Sequence, residues 1–352
     1  MKVNGKHYRT VWMNDQSVMM IDQLRLPHFF EIAELKTHKD TANSISTMMV
    51  RGAGAIGATA GFGMAQVALE APEGDSFYDY VEKGFKTIEA TRPTAQNLFY
   101  AIRKVQAAID KAGSIPEARA AAVATAQAIA DEDASFCEAI GVNAQQIMEN
   151  GIRILTHCNA GWLAFVDWGS ALSPVYKAIR QGKEVTVFAD ETRPRSQGAT
   201  LTAWELINEG VPYYVIPDNA SGYLMRKGEI DIVIVGSDRI AANGDVANKI
   251  GTYEDAVVAH ELGIPFYVAA PSSTIDPDCP KGDLIPIEER SHEEVQYAYG
   301  LLENGEFGQV LVTPENASVK NPAFDITPRE YVTGIITEKG LFSPENILDS
   351  VE

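Results

Sequence analysis

Cysteines and long apolar runs are scarce in this sequence, and each scarcity narrows the class of protein. The three cysteines, Cys137, Cys158 and Cys279, are odd in number, widely spaced and outside any CxxC or Cys/His metal motif. A reducing compartment therefore suits the chain better than a disulfide framework. No apolar run approaches the roughly 18 residues of a membrane-spanning helix, and the N-terminus lacks the apolar region of a signal peptide. We therefore expect a cytoplasmic protein.

Basic residues are also in short supply, since 29 lysines and arginines stand against 48 acidic residues and give a net charge of −19. Such a charge repels nucleic acids and anionic membranes at long range, so we expect neither as a partner. Any phosphate must instead be bound by local contacts. At 352 residues with 45% hydrophobic content, the chain is long enough for two domains with separate cores.

The N-terminal domain, residues 1–150, is predicted to be mainly helical. Residues Tyr8–Met13 and Ser17–Ile21 flank the turn dipeptide Asn14-Asp15, which predicts a small β-hairpin. Helical periodicity then predominates as far as residue 150. The predicted helices are Phe29–Lys36, Asp40–Met49, Ala55–Glu70, Tyr78–Ala90, Ala95–Ala112 and an interrupted helix over Pro116–Asn150.

From Gly151 onward, short apolar strands alternate with helices, and this pattern predicts an α/β domain over residues 151–352. Nearly continuous apolar strands indicate a parallel sheet covered on both faces, as in a doubly wound fold. A capping box of Thr252 and Asp255 is expected to open one helix. The predicted strands are Ile152–Thr156, Val185–Ala189, Tyr213–Ile216, Ile230–Val235, Phe266–Ala269 and Val310–Val312.

Polar residues follow all six predicted strands. Ligands of doubly wound sheets bind outside the carboxyl ends of the strands, so these positions predict a binding site. Any one of them alone is more often a cap or a turn. The segments are His157 to Asn159, Asp190 to Gly198, Asp218-Asn219, the stretch that contains Asp238, Pro271 to Thr274, and Thr313 to Asn316.

The stretch from Gly236 to Thr252 carries the most chemistry. Asp238 follows a buried strand, where partial desolvation is expected to raise the pKa of its carboxyl, as a proton donor near neutral pH requires. Asn248 and Lys249 can hold hydroxyls or a phosphate. The alternative for a single aspartate is an ordinary surface loop.

Two segments of the helical half are candidates for binding phosphate. Arg51 to Gly57 is rich in glycine, and Thr91 to Thr94 contains Arg92; each puts an arginine beside the start of a predicted helix. Helix N-termini attract anions through their dipole and free N–H groups, so the two segments predict a phosphate clamp. The alternative is a glycine-rich turn packed against a neighbouring helix.

Seven segments together resemble, in order and over nearly the whole chain, the motifs of the 5-methylthioribose-1-phosphate isomerase family. This family is related to the regulatory subunits of translation initiation factor 2B. The resemblance implies a helical N-terminal domain, a Rossmann-like catalytic domain and a homodimer. The segments are RGAGAIGATAGFGMA, TRPTAQNL, ILTHCNAG, ETRPRSQGATLTAWEL, IPDNASGYLM, GSDRIAANGDVANKIGTY and GIPFYVAAPSSTID.

The resemblance also implies the residues of the site and their roles. Asp238 would be the proton donor and Cys158 the second catalytic residue. The residues implied to hold the sugar phosphate are Arg51, Gly52, Ala53, Arg92, Gln197, Asn248 and Lys249. No cluster of metal-ligating residues is visible in the sequence, so we expect neither a metal nor a cofactor.

The implied reaction explains these residue types. The phosphate on the anomeric oxygen locks an aldose 1-phosphate as a ring, so an acid must protonate the ring oxygen before hydrogen moves from C2 to C1. The hydrogen can move as a proton carried by a Cys158 thiolate or as a hydride in a dry pocket. Sequence does not choose between these routes.

Two departures from the family pattern bear on the substrate. Gly54 stands where the family commonly has proline. Trp162 and Phe165 follow Cys158 where the family more often has small residues. If they line the pocket, 5-deoxyribose 1-phosphate would fit better than the 5-methylthio sugar; alternatively, they pack in a core or at a dimer interface.

Two other functions are compatible with the family. A ribose 1,5-bisphosphate isomerase needs a further basic cluster for its second phosphate, and none is convincing here. A non-catalytic subunit resembling the initiation-factor proteins would have no reason to keep Cys158, Asp238, Asn248 and Lys249 together.

Overall fold

The structure, a computed structural model, describes residues 1–92 and 95–351. The described chain forms two compact units. The first comprises Met1–Glu138 and Trp162–Gly169, and the second comprises Ala139–Gly161 and the chain from Ser170 onward. The chain therefore passes between the units three times, whereas the sequence analysis placed one domain boundary after residue 150. Among the described residues, no helix is both long and apolar enough to cross a membrane.

The strands of the first unit form two small antiparallel sheets. The predicted hairpin is confirmed, with Asn14 opposite Ser17 at its turn. The helix predicted over Phe29–Lys36 is wrong, because residues of this segment pair with the hairpin as a third strand, Ile32 opposite Ile21. Tertiary pairing has overridden local helical preference here. The strands are β1 (Lys2–Val3), β2 (Lys6–His7), β3 (Val11–Asn14), β4 (Ser17–Ile21) and β5 (Ile32–Leu35).

Helix packing forms the core of the first unit around one buried helix. The helices are α1 (His38–Ser46), α2 (Ala53–Glu70), α3 (Ser76–Glu89), α4 (Gln96–Asp110) and α5 (Ile115–Asn143), whose last residues belong to the second unit. Residues 54–68 of α2 are all buried, so this helix has no solvent face to make polar. Glycines let its neighbours approach closely: a Cβ at Gly84 of α3 would overlap Val67 of α2. A 3₁₀ turn at Ala144–Ile147 follows α5, so the predicted interruption is confirmed.

The second unit contains thirteen strands among the described residues. In chain order they are β6 (Ile152–Thr156), β7 (Val185–Asp190), β8 (Tyr213–Ile216), β9 (Ile232–Val235), β10 (Arg239–Ala241), β11 (Val246–Lys249), β12 (Phe266–Ala269), β13 (Ile275–Asp276), β14 (Tyr297–Leu301), β15 (Phe307–Leu311), β16 (Phe324–Thr327), β17 (Gly334–Thr337) and β18 (Gly340–Phe342). The helices are α6 (Ser173–Arg180), α7 (Ala203–Asn208), α8 (Ser221–Arg226), α9 (Thr252–Leu262) and the single turn α10 (Glu293–Gln296).

Seven of these strands form the main sheet, in the order β18-β17-β12-β9-β6-β7-β8. All neighbours pair in parallel except β17 and β18. The chain builds outward from β6 through β7 to β8, then returns to add β9 on the other side of β6. The predicted doubly wound α/β fold is confirmed, and its topological switch point lies between β6 and β9.

The sixth predicted strand is confirmed as a strand, but its expected place in the main sheet is wrong. Residues 310–312 were expected in the main sheet, but β15 pairs only with β14, in a separate two-stranded hairpin. The sheet position belongs to β17, whose four residues are all buried, whereas Val310 and Leu311 are exposed. Thr313 to Asn316 therefore do not follow a strand of the main sheet.

The stretch that contains Asp238 supplies the two central strands of a second sheet, in the order β13-β10-β11-β16. Strand β10 turns back on β11 with Arg239 opposite Ala247, and β11 pairs with β16 with Lys249 opposite Phe324. Asn248 and Lys249 thus lie on a strand between two partners. They are not part of a loop.

Candidate active site

Cys158 and Asp238 follow the two strands that border the switch point of the main sheet. Cys158 lies two residues beyond β6, and Asp238 lies three residues beyond β9. The strands pair in parallel, with Leu155 opposite Val233, so their carboxyl ends reach the same edge of the sheet. This is the edge at which doubly wound folds bind their ligands.

The backbone of Cys158 has a conformation that side chains disfavour. Its φ of 65° lies in the left-handed region, which costs a residue other than glycine about 1–3 kcal/mol. Two threonines hold it there: the Cys158 N–H donates to Thr192 Oγ1 at 2.8 Å, and Thr202 Oγ1 donates to the Cys158 carbonyl at 2.7 Å. The thiol is half-buried.

The surroundings of Asp238 differ from the sequence prediction. Its N–H donates to the Ala247 carbonyl at 2.9 Å, which fixes it at the base of the β10–β11 hairpin. Asp238 itself is exposed, so the structure does not show the burial that was expected to raise the pKa of this carboxyl. By contrast, Asn248 and Lys249 are buried and are only 5% and 3% exposed.

Lys249 is a buried cation near both candidate catalytic residues. Its Nζ has no hydrogen-bond partner among the described residues. Burial lowers the pKa of Lys249 from its ordinary 10.5, while nearby Cys158 and Asp238 act in the opposite direction. A buried ammonium that lacks a partner is unfavourable unless a polar or anionic ligand satisfies it. The arrangement therefore suits a ligand with oxygen atoms at this position.

Gln197 joins the same edge through a close backbone approach. It precedes a π-helical turn, Gly198–Thr202, and a Cβ at Gly198 would overlap the carbonyl oxygen of Asp190, the last residue of β7. Only glycine allows this contact. Gln197 is 5% exposed, and its Oε1 has no partner in the described part of the chain.

A buried polar network lies behind Cys158. His157 Nε2 donates to the Ile250 carbonyl at 2.8 Å, and Nδ1 lies 2.9 Å from Asp190 Oδ2. Burial raises the pKa of Asp190 to about 8. Burial, followed by the neighbouring Asp190, raises the pKa of Asp255 well above 3.8.

Three members of this region lie close enough to suggest a metal site. The ligand atoms of His157, Asp190 and Asp218 lie within 4.8 Å of one another. Both ring nitrogens of His157 are engaged as described above, and the Asp218 oxygens accept from the N–H groups of Thr192 and Arg193 at 2.6 and 2.7 Å. These groups therefore serve the fold, and the donor set does not suit a metal ion.

The candidate phosphate residues lie at two adjacent helix starts in the first unit. Arg51 precedes α2, whose N-cap is Gly52 with a φ of 89°, and Arg92 lies shortly before α4. A Cβ at Gly57 of α2 would lie 3.1 Å from the carbonyl oxygen of Asn97 in the first turn of α4, so the two N-termini are neighbours. Pro93 and Thr94 of the predicted motif lie outside the described residues.

Packing accounts for part of the glycine-rich segment. A Cβ at Gly52 would overlap Ala164, and a Cβ at Gly54 would overlap the side chains of Asp133 and Phe165. Asp133 in turn accepts from the Val166 N–H at 2.7 Å. The glycines thus let the segment Trp162–Gly169 pack on the start of α2, as the alternative interpretation expected, and they still leave the helix N-terminus beside Arg51.

Trp162, Phe165 and the two remaining cysteines are core residues. Trp162 is fully buried, and Phe165 packs with Ala164 and Cys137 in the first unit. Cys279 is buried in a small cluster of the second unit. The structure therefore supports core packing for the two aromatic residues.

The sequence reasoning missed one residue that contacts the candidate catalytic cysteine. Thr202 was not among the residues predicted for the site, and no local signal indicates the π-helical turn that brings its hydroxyl to Cys158. The described second unit gathers Cys158, Gln197, Asp238, Asn248 and Lys249 at one sheet edge. The first unit gathers Arg51, Gly52, Ala53 and Arg92 at two helix starts, and the roles of all nine residues remain predictions.

Comparison with known proteins identifies the family. The initiation factor 2 subunit family matches residues 49–344. The methylthioribose-1-phosphate isomerase of Methylocella silvestris is 48% identical over 353 aligned positions, which cover 97% of this chain and 95% of that protein. This chain belongs to the methylthioribose-1-phosphate isomerase family. It is an enzyme of the isomerase class.

Two solved structures of the wider family share the fold over nearly the full length. The 5-methylthioribose 1-phosphate isomerase of Pyrococcus horikoshii OT3 is 41% identical with a TM-score of 0.89, covering 98% of this chain and 96% of that one. The translation initiation factor eIF-2B subunit delta from A. fulgidus is 40% identical with a TM-score of 0.84, covering 97% and 98%. The family fold thus accompanies two different descriptions of function.

Proposed function

We propose that this enzyme converts 5-methylthioribose 1-phosphate to the corresponding ribulose 1-phosphate, a step of methionine salvage. The observation that carries the proposal is the grouping of Cys158, Asp238 and the buried Lys249 ammonium at the switch point of the sheet. An aldose–ketose isomerisation needs an acid, a group that manages hydrogen transfer, and a cation for developing negative charge on oxygen. Relatives that carry the isomerase name support the same substrate.

Asp238 is proposed to protonate the ring oxygen, which opens the sugar and frees C1 and C2 for hydrogen transfer. Its exposed position gives the carboxyl access to an incoming ligand. Gln197, Asn248 and Lys249 would hold the sugar hydroxyls and the oxygen on which negative charge develops. Their burial supports this role, because preorganised donors in a site that excludes water need little rearrangement during the reaction.

The substrate phosphate is proposed to bind Arg51 and Arg92 together with the backbone of Gly52 and Ala53. Two neighbouring helix N-termini supply N–H groups and favourable dipoles, and the guanidinium groups supply charge-assisted hydrogen bonds. Local binding of this kind is needed because a net charge of −19 repels a free phosphate ester.

The two routes of hydrogen transfer predict different isotope patterns. If a Cys158 thiolate removes the C2 proton, exchange with solvent should place deuterium at C1 of ketose formed in D₂O. If hydrogen moves as hydride, the product should carry none. NMR of the product distinguishes the routes without altering the enzyme.

Competing substrates are tested by assaying ketose formation from three sugar phosphates side by side. We expect 5-methylthioribose 1-phosphate to be turned over best. The case for 5-deoxyribose 1-phosphate rested on Trp162 and Phe165, which are core residues of the first unit. Ribose 1,5-bisphosphate requires a second phosphate site. Higher kcat/KM for either alternative would reassign the substrate.

A second candidate function follows from the likeness to the A. fulgidus eIF-2B subunit. A non-catalytic regulatory subunit would turn over none of the three sugars. Against this candidate, Cys158 is kept in a disfavoured backbone conformation, and Lys249 is buried without a partner among the described residues. Both features are unfavourable for folding and useful for chemistry.

The replacement Asp238→Asn tests the proposed acid. Asparagine is nearly isosteric but cannot deliver a proton, so we expect kcat to fall by roughly 10² or more, in line with general-acid contributions. Circular dichroism should show an intact fold. As a control, Asp283→Asn changes an exposed aspartate of the same unit and should leave kcat unchanged. Near-native turnover in a folded Asp238→Asn protein would remove Asp238 from the mechanism.

We also propose that the enzyme is cytoplasmic, needs no cofactor and, as the family resemblance implies, forms a homodimer. The β14–β15 hairpin supports the dimer. Tyr299, Leu301 and Val310 are 58%, 49% and 53% exposed on this hairpin. An isolated two-stranded hairpin is marginally stable in water, so an apolar hairpin is expected to be covered by a second copy.

A further inference from the structure

We propose that Thr192 and Thr202 are positioning residues for the reaction, and that their hydroxyls hold the Cys158 backbone in the conformation that presents its thiol. The inference rests on the proposed catalytic role of Cys158. It adds two residues whose contact is with the backbone of the cysteine and not with substrate.

The geometry shows two opposed hydrogen bonds on one residue. Thr192 Oγ1 accepts from the Cys158 N–H at 2.8 Å, and Thr202 Oγ1 donates to the Cys158 carbonyl at 2.7 Å. Both backbone polar groups of the cysteine are therefore bound to side chains that come from other segments of the chain. Sheet or helix pairing cannot supply these bonds, because a φ of 65° belongs to neither structure.

Each hydroxyl is itself fixed by further contacts. Thr192 Oγ1 donates to the Asp190 carbonyl at the end of β7, at 3.0 Å. The Thr192 N–H donates to Asp218 Oδ1 at 2.6 Å. Both threonines are fully buried, so neither hydroxyl has water as an alternative partner on a solvent face.

Thr202 is fixed by a second buried chain of polar groups. Asn159 Nδ2 donates to Thr202 Oγ1 at 3.2 Å and to Glu205 Oε1 at 2.8 Å. Tyr176 donates to Glu205 Oε2 at 2.7 Å. The two threonines thus connect Cys158 to β7 on one side and to the turn before α7 on the other.

The consequence for catalysis concerns the direction of the thiol. If one hydroxyl is lost, a disfavoured φ of 65° is expected to relax toward an ordinary region of the backbone map, which turns the side chain away. A misplacement of about 1 Å can reduce catalysis about 10²-fold. Substrate binding depends on other side chains, so KM should change little.

The test uses Thr192→Val and Thr202→Val, which keep the shape and β-branching of threonine and remove the hydroxyl. We expect kcat for 5-methylthioribose 1-phosphate to fall at least about tenfold, with KM within about twofold. Thr192→Ser and Thr202→Ser keep a hydroxyl and should retain most of kcat. Rescue by serine separates hydroxyl positioning from loss of packing.

Thr200→Val is the matched control. Thr200 lies in the same π-helical turn as Thr202, and its hydroxyl donates to the Ser196 carbonyl at 2.8 Å without touching Cys158. We expect kcat unchanged. Thermal melts show whether each variant is folded. Because Thr192 and Thr202 are tested independently, the test remains valid if one valine variant does not fold.

A second measurement does not require turnover. Iodoacetamide alkylates accessible cysteines, and the thiol of Cys158 is half-buried. Release of the backbone should turn the thiol out of its present direction, so the alkylation rate at pH 7, measured by peptide mass spectrometry, should change at least about threefold in both valine variants. If wild-type enzyme turns over no sugar phosphate, the proposed function fails. Alkylation still tests whether the two threonine hydroxyls position Cys158.

Two results would overturn the proposal. One is a wild-type kcat and alkylation rate in folded Thr192→Val and Thr202→Val. The other is an equal loss in Thr200→Val or in the serine variants, which would assign the effect to packing.

Discussion

At the scale of single residues, charge placement at helix starts is the feature most open to direct test. Arg92 lies beside the N-terminus of α4, which adjoins that of α2. Helix dipoles and a guanidinium both attract an anionic group. If this group is the substrate phosphate, removing the guanidinium should weaken binding without disturbing the core.

We therefore predict that Arg92→Ala raises KM by about 10-fold to 100-fold, the size expected for loss of a charge-assisted bond. Arg92→Lys should recover part of the loss, because lysine keeps the charge but not the bidentate geometry. Steady-state kinetics measure both. The control is Arg103→Ala, which changes an exposed arginine of α4. An unchanged KM with normal turnover in Arg92→Ala would refute the phosphate role.

At the scale of elements, the His157 network joins the ends of β6 and β7 to α9. Asp190 ends β7, Asp255 lies in the first turn of α9, and His157 bonds to both the Asp190 side chain and the Ile250 backbone. The capping box predicted for α9 is wrong. Asp325 accepts from the N–H groups of Gly251 and Tyr253 and so caps this helix from outside. Asp255 is thereby free to belong to the buried network.

The network predicts a pH dependence of stability with a defined sign. The pKa of Asp190 is about 8 in the folded state and 3.8 ordinarily, so the folded state binds the proton more tightly. The free energy of unfolding must then fall as pH rises from about 4 to about 8. Asp190→Asn cannot ionise and should lose this dependence.

Thermal melts at pH 5 and pH 9 check this prediction. We expect wild-type Tm to fall by at least about 3 °C more than that of Asp190→Asn, which corresponds to roughly 2 kcal/mol in a chain of this size. Other titrating groups are common to both proteins and cancel in the comparison. Parallel pH curves for the two proteins would show that Asp190 is ionised throughout.

The elements also show which structure was readable from sequence. Strands such as Ile152–Thr156 and Phe266–Ala269 were predicted correctly because they are short and all but one residue of each is buried. The Phe29–Lys36 segment and the sheet position of residues 310–312 were not, because pairing with the neighbouring strands β4 and β14 decides their structure. The strand-end rule still placed Cys158 and Asp238 at the same edge of the sheet, and their roles stay predictions. It could not find Thr202, whose position depends on a π-helical turn.

At the scale of the whole molecule, the proposed assembly depends on exposed apolar side chains that no sequence motif indicates. The β14–β15 hairpin exposes apolar side chains although it carries no residue of the candidate site. Alternation along the strands puts Tyr299 and Leu301 on one face. A second copy is the occupant that the family resemblance favours.

We predict that wild-type protein has twice the 38.3 kDa chain mass in solution and that Leu301→Lys shifts it toward the single-chain value. A buried charge without a partner opposes association, so the shift should be complete at micromolar concentration. Light scattering coupled to size exclusion measures the mass. Ile207→Lys changes another exposed apolar residue of the same unit and should not alter it. Dissociation by Ile207→Lys alone would place the interface elsewhere.

Because the backbone at residue 158 is left-handed, stability and turnover favour different residues at this position. Glycine adopts a φ of 65° without penalty, whereas cysteine adopts it at a cost of about 1–2 kcal/mol. A lineage that kept this fold but abandoned the reaction would fold more stably after exchanging this cysteine for glycine. Mutation therefore tends to erase the thiol, and only a need for its chemistry would preserve it.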